Sequence, residues 1–263
     1  MKPEVVIDGV NKISDTNIVA ERFSAAAKTY SRHNCLQKRS AQGLLKEMSP
    51  CGVLLDIGCG PGTDFSHFKR VVEVISLDIA PGMLEQLSIN FPSYTTICAD
   101  AKAIPLPENS VDTVYSNLAL QWCDDLQQSF KSTGAALKSG GDYYLSVVAE
   151  GSLPELVELG FRVNSFRSMT DIVSQFDPEF WLVKSAKLEP ITVYFDDLKS
   201  LLYSIKGVGA SIVSDEKSSE QNLSHGIRGR EDWKERLARA ECIRQAKGLP
   251  LTYHIAQLHV ERR

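Results

Sequence analysis

Apolar positions along this chain change their spacing twice. From Ile18 to about residue 50 they recur at helical intervals. Phe23, Ala26, Ala27 and Tyr30 share one face, and Ala41, Leu44, Leu45 and Met48 share another. Asn34, between the two sets, is placed to cap the second helix. From residue 53 to 148 short apolar runs alternate with helical stretches. Strands are predicted over 53–57, 73–78, 95–100, 111–116 and 143–148, with helices over 63–71, 81–89 and 125–137. Such alternation predicts a parallel sheet with helices on both faces and right-handed connections. After Val148 it stops. Residues 150–180 read as short helices and loops, and 181–195 as a strand or hairpin interrupted by Pro190. A helix over 196–210 ends near Gly207, and 214–230 is a polar surface loop. An amphipathic helix over 231–247 and a strand over 251–260 close the chain. No internal repeat or low-complexity tract is found.

This pattern implies one domain over 18–263, preceded by a polar, loosely held leader at 1–17. Within it lie N-terminal helices (18–50), a central core (51–149), an inserted cap (150–230) and the closing helix and strand (231–263). The 263 residues, 43% hydrophobic, suffice for one well-buried core. No apolar run approaches the roughly 18 residues of a membrane span, and the first residues carry no secretory h-region. A soluble, cytoplasmic protein away from membranes is expected. The net charge of -4 does not argue for a nucleic-acid partner, and none is expected. Six cysteines, Cys35, Cys51, Cys59, Cys98, Cys123 and Cys242, form no CxxC pair and have no His cluster nearby. Reduced, buried thiols are expected, with no metal and no disulfide.

Candidate chemistry begins at Leu54-Leu55-Asp56-Ile57-Gly58-Cys59-Gly60-Pro61-Gly62-Thr63. Gly58, Gly60 and Gly62 follow a predicted strand and open a predicted helix. They let the backbone turn and approach a ligand, with free N–H groups at the helix start behind them. The dinucleotide fingerprint GxGxxG is missed, since Thr63 takes its third glycine position, and no Gly-Lys-Ser/Thr follows. Asp78 stands 20 residues after Gly58, at a strand end, where a carboxylate can accept bonds from both hydroxyls of a ribose. A third acidic position is Asp100, in Ala99-Asp100-Ala101. Taken singly, a turn glycine, a helix cap or a solvated acid explains each piece; together they lie in order at strand ends, where open α/β sheets bind ligands.

The GxGxG loop behind an acidic residue resembles the nucleoside-binding loop of class I methyltransferases. That resemblance implies a Rossmann-like fold with a mostly parallel seven-stranded sheet, and S-adenosylmethionine as methyl donor. It also implies cofactor-binding roles for Asp56, Gly58, Gly60, Gly62, Asp78, Ile79, Met83, Asp100, Ala101, Asn117 and Leu118. Met83 could pack on adenine, but reads better as a core methionine. A narrower resemblance rests on further stretches. They are Phe23-x-x-Ala26-x-x-x-Tyr30 with Gln37, Asn117-Leu118-Ala119-Leu120-Gln121-Trp122-Cys123, Ala149-Glu150-Gly151-Ser152-Leu153-Pro154-Glu155-Leu156, Ser204-Ile205-Lys206-Gly207-Val208-Gly209-Ala210 and Pro250-Leu251-Thr252-Tyr253-His254. These are similar to the malonyl-carrier-protein O-methyltransferases of biotin synthesis.

That family implies methylation of the free carboxylate of a malonyl thioester held by an acidic acyl carrier protein or coenzyme A, with no metal. A carboxylate is already a nucleophile at neutral pH, so no catalytic base is required. Tyr30 and Trp122 are the candidate walls of the reaction pocket, the competing reading being two core aromatics. Arg162, Arg167 and Lys206 are candidates to read the carboxylate, each also explicable as solvated charge. Residues 21–46 carry Arg22, Lys28, Arg32, Lys38, Arg39 and Lys46 against Glu21, six positive minus one negative, or +5. This face suits an acidic carrier, or is a solvated helix face. Open alternatives are a methyltransferase of quinones or other small molecules, a non-catalytic binding protein of the same fold, and a nicotinamide enzyme.

Overall fold

The computed structural model describes residues 15–207 and 230–263. In chain order the elements are α1 (Asp15–His33), α2 (Cys35–Glu47), β1 (Gly52–Ile57), β2 (Val71–Asp78), α3 (Pro81–Asn90), β3 (Thr95–Cys98) and β4 (Val111–Asn117). A 3-10 turn at Leu120–Trp122 leads into α4 (Leu126–Ala136), β5 (Leu137–Ala149), α5 (Pro154–Glu158), α6 (Met169–Ser174) and β6 (Trp181–Phe195). Then come α7 (Leu198–Gly207), α8 (Arg230–Cys242) and β7 (Leu249–Arg262). The strands form one seven-stranded sheet in the order β3-β2-β1-β4-β5-β7-β6. The five strands from β3 to β5 run parallel, whereas β7 is antiparallel to both β5 and β6. Strand order reverses between β1 and β4, which opens a crevice at their carboxyl ends.

Alternating side chains of β1, β4, β5 and β7 fill the core. Leu55, Val114, Leu145 and Leu258 are buried on one face with Phe130 of α4 and Phe176 after α6. The Phe130 and Phe176 rings stack at 3.8 Å, and the Phe130 ring meets Tyr143 edge-on at 6.2 Å. Burying each such aromatic contributes about 1.5–3 kcal/mol. On the other face α2 crosses the sheet. The Ser40 hydroxyl donates to Ser146 Oγ at 3.0 Å, and Leu44 packs with Leu54, Tyr115 and Tyr144.

Several sequence expectations are corrected. No helix forms over 63–71. The Asp64 carboxylate accepts the Ser66 N–H at 2.8 Å and closes a local turn, and the Phe65 N–H donates to Tyr94 Oη at 3.0 Å. These bonds compete with a helical ladder, leaving only i→i−3 turns from Phe68 to Phe65 and from Val71 to Phe68. Asn34 stands at the N-cap of α2, but its side chain makes no capping bond and its Oδ1 is buried without a partner. Helix α1 begins at Asp15, three residues inside the expected leader, whose residues 1–14 lie outside the described part. Pro190 does not interrupt β6, which runs for 15 residues on the sheet edge, where a missing N–H costs no ladder bond. Helix α8 stops at Cys242, because Gln245 and Gly248 bond to each other in a tight turn. Of the loop expected at 214–230, residues 214–229 lie outside the described part and Arg230 opens α8. The six cysteines are free, yet Cys35, Cys98 and Cys242 are exposed and only Cys59 is buried.

Candidate active site

A cavity of about 810 Å³, its open mouth included, lies over the carboxyl ends of β1, β2, β3 and β4 and under α1. Ile57, Gly58 and Gly60 form its floor with Leu77, Asp78 and Ile79. Met83, Ala99, Asp100, Ala101 and Lys102 make one wall, and Asn117, Leu118, Trp122 and Asp124 another. Val19, Phe23 and Tyr30 of α1 face it from above.

The loop after β1 is shaped by its own backbone bonds. The Gly58 and Cys59 N–H groups donate to the Leu77 carbonyl, at 2.7 and 3.1 Å, and the Gly62 N–H donates to the Cys59 carbonyl at 3.0 Å. Gly58 has φ +67°, and a side chain there would strike Ala119 Cβ at 2.2 Å. Gly60 has φ +53°, and a Cβ there would meet nothing within 4 Å, so its bare backbone faces the cavity. The free N–H groups of a helix start, expected behind this loop, are absent because no helix follows it.

Asp78 joins loop to wall. Its Oδ2 accepts the Gly60 N–H and its Oδ1 the Ala80 N–H, both at 2.8 Å. An ionised carboxylate has about four acceptor positions, so two remain for a ligand. Burial pushes the Asp78 carboxyl above its usual range, against the pull of those N–H groups. Asp56 lies behind the floor, 1% exposed, and its Oδ2 has no hydrogen-bond partner. Burial, and then the neighbouring Asp78, pushes its carboxyl well above the ordinary value. The Tyr30 phenol is raised by burial, then by Asp78 and Cys59, so it stays protonated at neutral pH.

On the other wall Asn117 is committed to structure. Its Nδ2 donates to the Gln37 carbonyl at 3.0 Å and its Oδ1 accepts from Ser146 Oγ at 2.8 Å. Leu118 takes a left-handed φ of +52°, uncommon for a residue with a side chain. Its N–H is held by the Ser146 carbonyl at 2.9 Å, and the turn that follows brings Trp122 against Phe23, edge-on at 5.8 Å. Lys102 Nζ bonds Asp124 Oδ1 at 2.7 Å and lies 3.6 Å from Asp100 Oδ2. The Arg167 guanidinium donates to the Asp124 carbonyl at 2.9 Å.

The central part of the chain, residues 55–145, matches the model of a methyltransferase domain. A malonyl-acyl-carrier protein O-methyltransferase from Pseudescherichia vulneris is 35% identical over 206 residues, covering 73% of this chain and 79% of the relative. The chain belongs to the malonyl-acyl-carrier protein O-methyltransferase family. A second member, from Marinomonas sp., is 28% identical over 98% of both chains. A relative from Cellvibrio japonicus, 30% identical over 93% of this chain and 50% of its own, is named a biotin biosynthesis bifunctional protein. Among solved structures, the YcgJ protein of Bacillus subtilis aligns with TM-score 0.53 at 17% identity, over 86% of this chain and 97% of its own. A chain from the complex of the Haloferax volcanii Trm112 methyltransferase activator aligns with TM-score 0.56 at 19% identity, over 91% and 96%. The fold is therefore the class I methyltransferase fold, and the protein is an O-methyltransferase.

Set against this family, the structure brings Gly58, Gly60, Asp78, Ile79, Met83, Asp100, Ala101, Asn117, Leu118, Tyr30 and Trp122 to one cavity. It does not bring Asp56 or Gly62 to the wall. Asp56 is sealed within the sheet, and a side chain at Gly62 would point at the Phe91 ring, 2.5 Å away. Arg162 and Arg167 are exposed and line none of the cavity, though Arg167 touches its rim through Asp124; the Lys206 side chain lies outside the described part. Lys102 and Phe23 were not among the expected site residues. Lys102 had a signal, two residues past Asp100, whereas Phe23 shared its spacing with an ordinary core face. Among the described residues no group of His, Cys, Asp and Glu could hold a metal, and no helix is long and apolar enough to cross a membrane.

Proposed function

We propose that this enzyme transfers the methyl group of S-adenosylmethionine to the free carboxylate of a malonyl thioester. The thioester is carried by an acidic acyl carrier protein or by coenzyme A, and the product feeds the early, pimelate-forming part of biotin synthesis. The carrying observation is the extent of the match. The Marinomonas relative named for malonyl-carrier protein aligns over 98% of this chain, so α1, α2 and the segment after β5 are included along with the central sheet.

The cavity fits S-adenosylmethionine in two respects. Asp78 retains two acceptor positions for a ribose diol. Gly60 leaves open space where a side chain would stand. Asp100 and Ala101 are assigned to the adenine edge, Ile79 and Met83 to its face, and Gly58, Asn117 and Leu118 to the methionine side. Gly62 shapes the loop from outside.

When bound, S-adenosylmethionine supplies a methyl group activated by a sulfonium. The chain's residues then have to align and dehydrate the reactants. Tyr30 and Trp122 flank the acceptor path, and Phe23 of α1 packs edge-on against Trp122. Alignment alone can lower a barrier by about 7–11 kcal/mol in the best cases, and expelling water strengthens the attraction between carboxylate and sulfonium. Lys102 in the wall, although paired with Asp124, and Arg167, which reaches the rim through the Asp124 carbonyl, are the cations assigned to an anionic acceptor. Arg22, Lys28, Lys38, Arg39 and Lys46 are exposed on α1 and α2, a basic set that suits an acidic carrier protein.

The test is transfer of labelled methyl from S-adenosylmethionine to malonyl-, acetyl- and succinyl-carrier protein. Label on the malonyl form alone is expected. Binding of S-adenosylmethionine with no label on any carrier, or label on a phenol instead, overturns the acceptor.

A further inference from the structure

We infer that Gly82 and Ser24 form a latch that docks α1 over the cavity and so positions Tyr30 and Phe23. Gly82 is the second residue of α3, and its φ is not in the left-handed region, so backbone conformation does not demand glycine there. Proximity does. A Cβ on Gly82 would lie 2.8 Å from the Ser24 carbonyl oxygen, 3.0 Å from its Cα and 3.1 Å from its Cβ. Two of those three atoms are backbone, so no rotamer change relieves the clash.

The contact also carries a hydrogen bond. The first N–H groups of a helix have no partner within it, and Ala80 at the N-cap of α3 has no side chain to offer one. Ser24 Oγ, from α1, accepts the Gly82 N–H at 3.3 Å. One helix thus supplies the missing cap of another. Around this point Ala27 packs against Ala80 and Met83, with Phe23 and Tyr30 partly buried beside them. Val19, Phe23 and Tyr30 are the α1 residues that face the cavity, and they lie on the side that carries Ala27. The same end of α3 is tied to the floor, because the Ala80 N–H donates to Asp78. Closure of α1 and the conformation of Asp78 therefore share one anchor.

The inference rests on the preceding reading only in taking S-adenosylmethionine as the molecule enclosed. It is tested with Gly82→Ala in the full chain, following amide exchange of α1 with and without S-adenosylmethionine. Alanine for glycine inside a helix ordinarily stabilises, so a glycine with no docking role gives unchanged α1 exchange and an equal or higher Tm. The latch predicts exchange over 15–33 faster by about tenfold, a shift of about 1.4 kcal/mol in its opening, with the central strands unaffected. It also predicts a KM for S-adenosylmethionine raised more than kcat is lowered. Exchange over α1 within twofold of wild type overturns it. Ser24→Ala removes only Oγ and should give a smaller acceleration in the same segment. If Gly82→Ala does not fold, that variant decides, and unchanged exchange in it counts against the latch. Loosening of α1 in the cofactor-free variant, with no protection by S-adenosylmethionine even in wild type, upholds the latch and rejects the cofactor.

Discussion

Asp78 is held at both oxygens by backbone and has two acceptor positions left, which makes Asp78→Ala informative. Bonds to an ionised group contribute about 1.5–3 kcal/mol each, so two ribose hydroxyls amount to roughly 3–6 kcal/mol. Part of this is offset, because burial has already pushed the Asp78 carboxyl up and removing a strained charge relieves the empty site. A net loss of about 3 kcal/mol, a little over 100-fold in Kd, is expected. The Gly60 and Ala80 N–H groups also lose their acceptor, which loosens the loop that carries Gly60. Titration calorimetry with S-adenosylmethionine measures the first effect, and thermal unfolding without it measures the second. Asp78→Asn retains one acceptor and should fall between wild type and alanine. A Kd for Asp78→Ala within threefold of wild type would falsify the assignment of Asp78 to the ribose.

Trp122→Ala should lower kcat by about tenfold or more while leaving the Kd of S-adenosylmethionine within threefold, since the lost wall acts on alignment; Tyr30→Phe should do the same more mildly. Normal turnover in both variants places the acceptor elsewhere. Asp56 has a folded-state pKa raised by burial and by Asp78, so the stability it contributes is present below the ordinary carboxylate range and lost as pH rises through the raised value. Asp56→Asn should abolish that slope and raise the Tm of the cofactor-free protein at neutral pH; parallel pH–Tm curves for the two proteins reject this. Phe130→Ala, at a 1% exposed site stacked on Phe176, should cost about 3–5 kcal/mol in denaturant unfolding. A cost under about 1 kcal/mol would mean the core had closed over the void.

The strands at 53–57, 73–78 and 111–116 were legible because each carries a short apolar stretch and ends at a glycine or a polar residue. Asp78 and Asp100 were legible as strand-end acids, since strand ends are where such a sheet opens. The helix predicted at 63–71 failed for a local reason. Phe65 and Phe68 have helical spacing, but Asp64 and Tyr94 capture the N–H groups that a helix needs. Burial of the cysteines failed because hydrophobic neighbours in sequence need not be neighbours in space; Cys98 ends a short edge strand and is exposed. The role of Lys102 is not legible in the sequence, because it depends on Asp124, 22 residues away, and only folding brings the two to 2.7 Å. The sealing of Asp56 within the sheet, and the turn that aims Gly62 at Phe91, likewise depend on folding.

The place of β7 in the sheet has a consequence for how the protein is made. It is later in the chain than β5 and β6, yet it lies between them and pairs with both. On the ribosome the earlier strands emerge first, each with an unsatisfied edge toward a gap that only the following segment can fill. Pairing β5 with β7 joins residues more than a hundred apart, such as Asp142 with Glu261, a separation that slows folding. Until it happens, a nascent or truncated chain exposes two strand edges that invite aggregation or chaperone capture. Loss of even a few residues from β7 should therefore reduce soluble yield far more than a trimmed α1 does.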